Sequence, residues 1–260
     1  MEPEERLVEW LGEARRVLAF CGAGVSAESG VPTFRGTDGL WEGHSLEDVA
    51  TPAGFGRDPL LVWRFYAERR LALLQAVPNP AHRALAAMEQ HYPWFLLVTQ
   101  NVDDLHERAG SQDPLHLHGT LTRVRCSACR HHEEFTAELG RGVLASGAVP
   151  RCRCGALLRP DVVWFGELLD PGHVRRIERF LEAGWQDGPA FLVLVIGTSG
   201  VVSGGYGIHT LPASLGARVV EINPEATLIS HEVDLAVRAP AGSLLGRVWP
   251  RVASQGIGRN

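Results

Sequence analysis

The sequence predicts an α/β fold: a Rossmann-like parallel sheet with helices on both faces, plus a small inserted zinc-ribbon and helical module. Three observations predict it. Apolar runs of strand length recur at 17–21, 94–98, 191–196 and 217–222, and each ends in small or polar residues, as strands buried on both faces of a parallel sheet do. Helical patterns separate these runs. Four of the five cysteines lie between positions 126 and 154, in a stretch without any long apolar run.

Apolar residues at Leu7, Val8, Trp10 and Leu11 give residues 4–16 the spacing of a helix leading into the first strand. The strand Val17-Leu18-Ala19-Phe20-Cys21 then runs into Gly22-Ala23-Gly24-Val25-Ser26-Ala27-Glu28-Ser29-Gly30. Glycines at that point allow a tight turn and close approach of backbone N–H groups to a diphosphate. Cys21, ending the strand, reads as a small buried residue. Residues 58–77 carry a stripe at Leu61, Val62, Phe65, Leu71 and Leu74, closed by Pro78, and a second helix spans 80–91. The strand 94–98 feeds Thr99-Gln100-Asn101-Val102-Asp103, with a short helix at 104–108 closed by Gly110. After the cysteine-rich stretch come a helix at 172–183, the strand 191–196 ending in Gly197-Thr198-Ser199, and the strand 217–222 ending in Asn223. In an open parallel sheet these loops share the carboxyl edge, where ligands bind.

Length and composition narrow the function classes. A chain of 260 residues, 45% hydrophobic and 21% charged, can bury a full core. A net charge of −5 argues against a surface built for the nucleic-acid backbone. No apolar stretch approaches the length needed to cross a bilayer, and the acidic start, Met1-Glu2-Pro3-Glu4-Glu5, is unlike a secretory leader. The expectation is a cytoplasmic protein with no membrane partner.

Cys126-x2-Cys129 and Cys152-x-Cys154 have the arrangement of a zinc ribbon, with 22 residues between the pairs. Four thiolates fill a tetrahedral shell and leave no position for water, so the expected Zn2+ is structural. Arg123, Arg125, Arg130, Arg151 and Arg153 surround the pairs and read as a solvated face offsetting thiolate charge.

Five segments in order resemble the sirtuins, NAD-dependent protein deacylases: Gly22-Ala23-Gly24-Val25-Ser26 through Phe34-Arg35, Thr99-Gln100-Asn101-Val102-Asp103-Asp104-Leu105-His106, Leu117-His118-Gly119, the paired cysteines, and Gly197-Thr198-Ser199 with Ile222-Asn223. The resemblance implies an NAD-binding domain from 1–33, 80–120 and 160–260, and a small domain from 34–79 and 121–159. It implies an NAD site formed by Gly22, Ala23, Gly24, Glu28, Phe34, Arg35, Gln100, Asn101, Asp103, Gly197, Thr198, Ser199, Asn223, Glu225 and Ala241. His118 is expected as general base, with Asn101 as its catalytic partner, because a neutral imidazole can take a proton from a ribose hydroxyl. By analogy, the acyl oxygen of a modified lysine displaces nicotinamide from C1′. His118 then helps the ribose 2′-oxygen capture the acyl carbon, and addition of water yields O-acyl-ADP-ribose and free lysine, formally an acyl transfer. Acylated-lysine proteins or peptides are then the partners.

Phe65-Tyr66-Ala67-Glu68-Arg69-Arg70 and Arg159-Pro160-Asp161-Val162-Val163-Trp164-Phe165-Gly166-Glu167 resemble the branch that removes acidic acyl groups. Positions i and i+3 share a helix face, so Tyr66 and Arg69 can meet one guest, and a forked guanidinium suits a succinyl or malonyl carboxylate. Val163, Trp164, Phe165, Gly166 and Glu167 are expected to form a strand-like lip for the substrate peptide. Alternatives are mono-ADP-ribosyl transfer from the same NAD site and a non-catalytic NAD-sensing zinc protein. One departure stands out. After Ser199 the family usually places a proline, whereas this chain runs Val201-Val202-Ser203-Gly204-Gly205-Tyr206-Gly207, and added glycine predicts that 203–208 move when NAD is absent.

Overall fold

Alternate residues of Arg16–Cys21 enter different cores. Val17, Ala19 and Cys21 pack on one side with Leu7, Leu11, Leu85, Met88, Leu244 and Val248. Leu18 and Phe20 pack on the other with Leu96, Val98, Ile177 and Leu181. A two-residue period with both faces apolar requires helices on both sides, and the chain supplies them. In this computed structural model, which describes residues 2–32, 40–41, 43–200, 213–214 and 216–255, helices Pro3–Glu13, Pro80–His91 and Ala241–Ser254 cover the first face. Pro171–Ala183 covers the second.

The six strands run in the order Leu235–Val237, Arg218–Ile222, Phe191–Ile196, Arg16–Cys21, Trp94–Thr99, Leu115–His116, all parallel. Cys21 stands in register with both Thr99 and Ile196, so the loops after three central strands leave the sheet at one level. That common level brings the glycine loop, the Gln100 loop and the Gly197 loop together.

A second core lies outside the sheet. The helix Pro59–Gln75 contributes Val62, Trp63, Phe65, Tyr66 and Leu73, and it packs with Leu121, Val124, Phe135, Leu158, Val162 and Trp164. These belong to or flank an antiparallel sheet, His132–Glu134, Gly119–Cys126, Leu158–Val162, that carries the cysteine pairs. The inserted ribbon and the long helix therefore share one apolar interior, since neither could bury its face alone.

Several sequence expectations need adjusting. The cysteine-rich stretch contains a helix, Ala137–Ser146, capped by the Thr136 hydroxyl and ended by Gly147 at φ 65°. Its few apolar positions, Leu139, Val143 and Leu144, gave too weak a period to read. Past the strand Leu158–Val162, residues 163–164 lie outside any strand, with Val163 N–H bonded to His118 O, and residues 165–166 turn the chain. The terminal strand Leu235–Val237 and the helix Ala241–Ser254, which holds two glycines and Pro250, also lacked a clear pattern. Phe34, Arg35 and the segment 203–208 lie outside the described residues. No helix among those described is long and apolar enough to cross a membrane.

Candidate active site

The glycine loop is shaped first by its neighbouring backbone. A Cβ on Gly22 would sit 2.7 Å from the Gly197 carbonyl oxygen, and one on Gly24 would sit 2.7 Å from Gly197 Cα. Gly197 itself has φ 61°, and a Cβ there would meet Val25 N at 2.6 Å. Gly24 N–H donates to Gly197 O at 2.8 Å. These glycines let two loops touch, in addition to any approach to a diphosphate. Gln100 ties the third loop in: its N–H donates to Cys21 O at 2.9 Å, and its Nε2 donates to Thr198 Oγ1 at 3.2 Å. Asn223 Nδ2 donates to Thr198 O at 3.0 Å, so Asn223 joins the same frame.

Ser26 is the hub of the deeper layer. Its hydroxyl donates to Asp103 Oδ2 at 2.9 Å and accepts from Asn101 Nδ2 at 3.1 Å, with His82 Nε2 at 3.4 Å. All four residues are buried. Burial raises the Asp103 carboxyl above the ordinary value, opposed by the N–H of Leu105 and by Ser26. His82 is pushed down to about 4 by burial and then by Arg83, so it is neutral. Its ring lies 4.9 Å from that of His106, which burial and the neighbouring histidines also hold well below the usual range. Ser26 and His82 were not among the expected site residues. Ser26 stood inside the glycine motif, whereas His82 had no signal beyond its place after the Asn79 cap.

Two histidines two residues apart have their pKa values shifted in opposite directions. His116 Nδ1 faces Asn101 O at 3.0 Å and Nε2 faces Glu107 Oε1 at 2.7 Å. Burial alone would lower its pKa, but the Glu107 carboxylate and the Asn101 carbonyl raise it overall. His118, half-buried, has its pKa lowered by burial, partly offset by the Gln100 carbonyl. His118 Nδ1 lies 3.1 Å from that carbonyl oxygen. Only a protonated Nδ1 can bond a carbonyl, which leaves Nε2 as the basic nitrogen. Gly119 follows at φ 76°, where a Cβ would sit 2.2 Å from Asp161 O.

Beside this centre, Trp164 Nε1–H donates to Tyr66 Oη at 3.0 Å, and both side chains are buried. Desolvation raises the Tyr66 phenol strongly, keeping it neutral. Arg69 shares its helix face, with its guanidinium 3.2 Å from the Phe65 ring centroid and Nη1 donating to Phe65 O at 2.8 Å. The segment bearing Trp164 is joined to His118, because Val163 N–H donates to His118 O at 2.9 Å. Phe165 is exposed, and Gly166 turns the chain at φ 86°.

Three remaining expectations land differently from one another. Glu28 caps the last helix: its carboxylate accepts from Gly242 N at 2.5 Å and Ser243 N at 3.2 Å. Ala241 opens that helix with its methyl group in the core. Glu225 is exposed on the turn after Asn223, while Glu221 is buried and paired with Arg238 at 2.6 Å.

The four cysteine sulfurs lie within 4.8 Å of one another, with Cys126 to Cys154 at 3.5 Å and Cys129 to Cys152 at 3.7 Å. Tetrahedral Zn–S bonds of ~2.3 Å place sulfurs roughly 3.8 Å apart, so the set fits Zn2+. The N–H groups of Ala128 and Cys129 aim at Cys126 Sγ, both at 3.4 Å, and hold that thiol down to about 6. Arg123, exposed as expected, also pairs with Asp161 at 2.9 Å, and half-buried Arg125 pairs with Glu167 at 3.2 Å.

A parallel sheet with three loops on one edge, two of them glycine-bearing, a histidine beside them and a four-cysteine ribbon together define a dinucleotide-dependent enzyme class. Residues 22–204 match the Sir2 family, and the chain belongs to it. The "NAD-dependent protein deacylase 1" of Pseudomonas aeruginosa is 47% identical over 253 residues, covering 94% of this chain and 97% of that protein. The "NAD-dependent protein deacylase" of Pyrococcus furiosus is 45% identical over 239 residues, covering 92% and 93%. Among solved structures, a mutant Sir2 homologue in complex with ADP-ribose superposes with a TM-score of 0.87 at 40% identity, covering 98% of each chain. A Sir2 homologue in complex with NAD gives 0.85 at 40% identity, covering 96% of this chain and 94% of that one.

Proposed function

We propose that this chain is an NAD-dependent protein-lysine deacylase that prefers succinyl and malonyl groups over acetyl. The observation that carries the preference is the Trp164 to Tyr66 hydrogen bond beside Arg69, on a segment attached at Val163 to His118. An indole donates and never accepts, so the Tyr66 hydroxyl takes the acceptor role toward Trp164. With a guanidinium on the same helix face, a carboxylate-bearing acyl tail is the guest that uses both groups.

The edge loops have the donors a dinucleotide needs: the backbone of Gly22, Ala23 and Gly24 toward a diphosphate, Gln100, Asn101 and Asp103 toward the nicotinamide half, and Thr198, Ser199 and Asn223 toward the adenosine half. NAD supplies an electrophilic ribose carbon and a leaving nicotinamide. His118 Nε2 takes a ribose hydroxyl proton, while its Nδ1–H stays on Gln100 O. The neutral, buried pocket excludes water until the acyl group has been captured. Zinc on Cys126, Cys129, Cys152 and Cys154 holds the ribbon and takes no part in the chemistry.

Incubation with acetyl-, succinyl- and malonyl-lysine forms of one peptide plus NAD, followed by nicotinamide release, tests this. Arg69→Met should cost the acidic substrates about tenfold to a hundredfold, the size of a lost charge-assisted hydrogen bond, and leave acetyl nearly unchanged. Equal losses on all three would remove the acidic preference.

A further inference from the structure

Outside the residues already placed against substrate, buried Arg159 and half-buried Glu167 form a clamp around Trp164. Arg159 Nη1 donates to Glu167 Oε1 at 2.6 Å, and Nη2 donates to Oε2 at 3.0 Å and to Val162 O at 2.8 Å. The guanidinium lies 3.2 Å from the Trp164 ring centroid. Glu167 also accepts the backbone N–H of Trp164 at 2.8 Å and Arg125 Nη2 at 3.2 Å. The indole is therefore fixed from two directions. Its backbone is held by the carboxylate, and its ring face by the cation that the carboxylate pairs.

We propose that Arg159 and Glu167 are positioning residues for acyl selectivity: by locking the Trp164 ring, they fix its Nε1–H on Tyr66 Oη and so fix the tyrosine as a hydrogen-bond donor to the acyl tail. This rests on the acidic-acyl reading above and extends it to two residues remote from the guest. Loss of the bidentate pair frees the indole to rotate. A rotated indole leaves the Tyr66 oxygen to accept from other donors, and the phenol proton loses its fixed direction.

The charge state supports the geometry. Burial raises the Glu167 carboxyl, but Arg159 and the Trp164 N–H outweigh it and hold the carboxyl below the usual range. Arg125 adds a second cation from the ribbon strand Gly119–Cys126, which links the cysteine module mechanically to the acyl pocket.

The test uses the zinc-loaded enzyme with Glu167→Ala, Glu167→Gln and the paired variant Arg159→Met with Glu167→Gln, which leaves no unpaired cation from that pair. Glu167→Ala should raise KM for a succinyl peptide about tenfold and change kcat and acetyl KM less than about twofold. Glu167→Gln retains an acceptor for the Trp164 N–H and should recover part of that loss. The indole N–H resonance of Trp164 is assigned by its disappearance in Trp164→Phe, and it should shift in Tyr66→Phe, in Glu167→Ala and in the paired variant. A wild-type enzyme without acidic preference overturns the acidic-acyl reading, and the clamp then stands or falls on the resonance alone. An unmoved indole resonance in folded Glu167→Ala and paired variants overturns the clamp, as do equal losses on succinyl and acetyl peptides.

Discussion

His118 Nδ1 lies 3.1 Å from the carbonyl oxygen of Gln100, and that single contact sets which nitrogen of the ring can accept a proton. A carbonyl accepts only from a protonated nitrogen, so Nε2 carries the lone pair. Burial lowers the pKa from the ordinary value near 6.5. The basic form therefore persists below that pH, and activity should begin to fall only as pH drops through the lowered value. A pH profile of kcat/KM with its acidic limb below 6.5 fits, whereas a limb above it contradicts the assignment. His118→Ala should cost about a hundredfold to a thousandfold in kcat.

The pair His82 and His106 predicts acid sensitivity. Both are held neutral in the fold, His82 with a pKa near 4. The unfolded chain binds protons on them below about pH 6.5, so their share of stability is complete above that pH and lost as pH falls toward 4. For His82 alone the loss is about 3 kcal/mol. Urea unfolding at pH 7 and pH 5 should show a drop that His82→Gln reduces.

Close contact between the two glycine loops gives a third expectation. A methyl group on Gly24 meets backbone at 2.7 Å, which no side-chain rotation relieves. Gly24→Ala should destabilise the fold by about 1–3 kcal/mol and weaken NAD binding. Thermal unfolding with and without NAD checks it, and unchanged values in both would contradict the packing argument.

Removing the metal should act on structure before chemistry. Cys126→Ser should lower zinc content well below one per chain and loosen the core shared by Trp63, Phe135 and Leu158. Because Arg125 bridges that ribbon to Glu167, succinyl KM should rise along with the loss of order. Full activity in a zinc-free variant would refute a structural role.

Much of this molecule can be read before it folds. Strands such as Phe191–Ile196 are continuous apolar runs whose burial needs no partner to be recognised. The four cysteines state their own ligand geometry through spacing. What escaped is pairing across long distances. Glu28 caps a helix that begins more than two hundred residues later, and nothing local separates that carboxylate from one facing a ligand. Glu167 looked like the end of a lip, but three donors converge on it, Arg159 and Arg125 from two strands and the Trp164 N–H from the segment after one of them. Gly22 and Gly24 were explained by a diphosphate, yet Gly197 also requires them. The short strand Leu235–Val237 and the glycine-rich helix Ala241–Ser254 form because the sheet edge and the first core receive them, a tertiary cause that a local period does not record.

The central claim is that an acidic acyl-lysine is the preferred guest of a pocket built by Tyr66, Arg69 and Trp164. Nicotinamide release from succinyl-lysine and acetyl-lysine forms of one peptide, at limiting concentration and saturating NAD, measures it directly. The account predicts a kcat/KM at least about tenfold higher for succinyl, lost in Arg69→Met. Acetyl turnover equal to or faster than succinyl would contradict it.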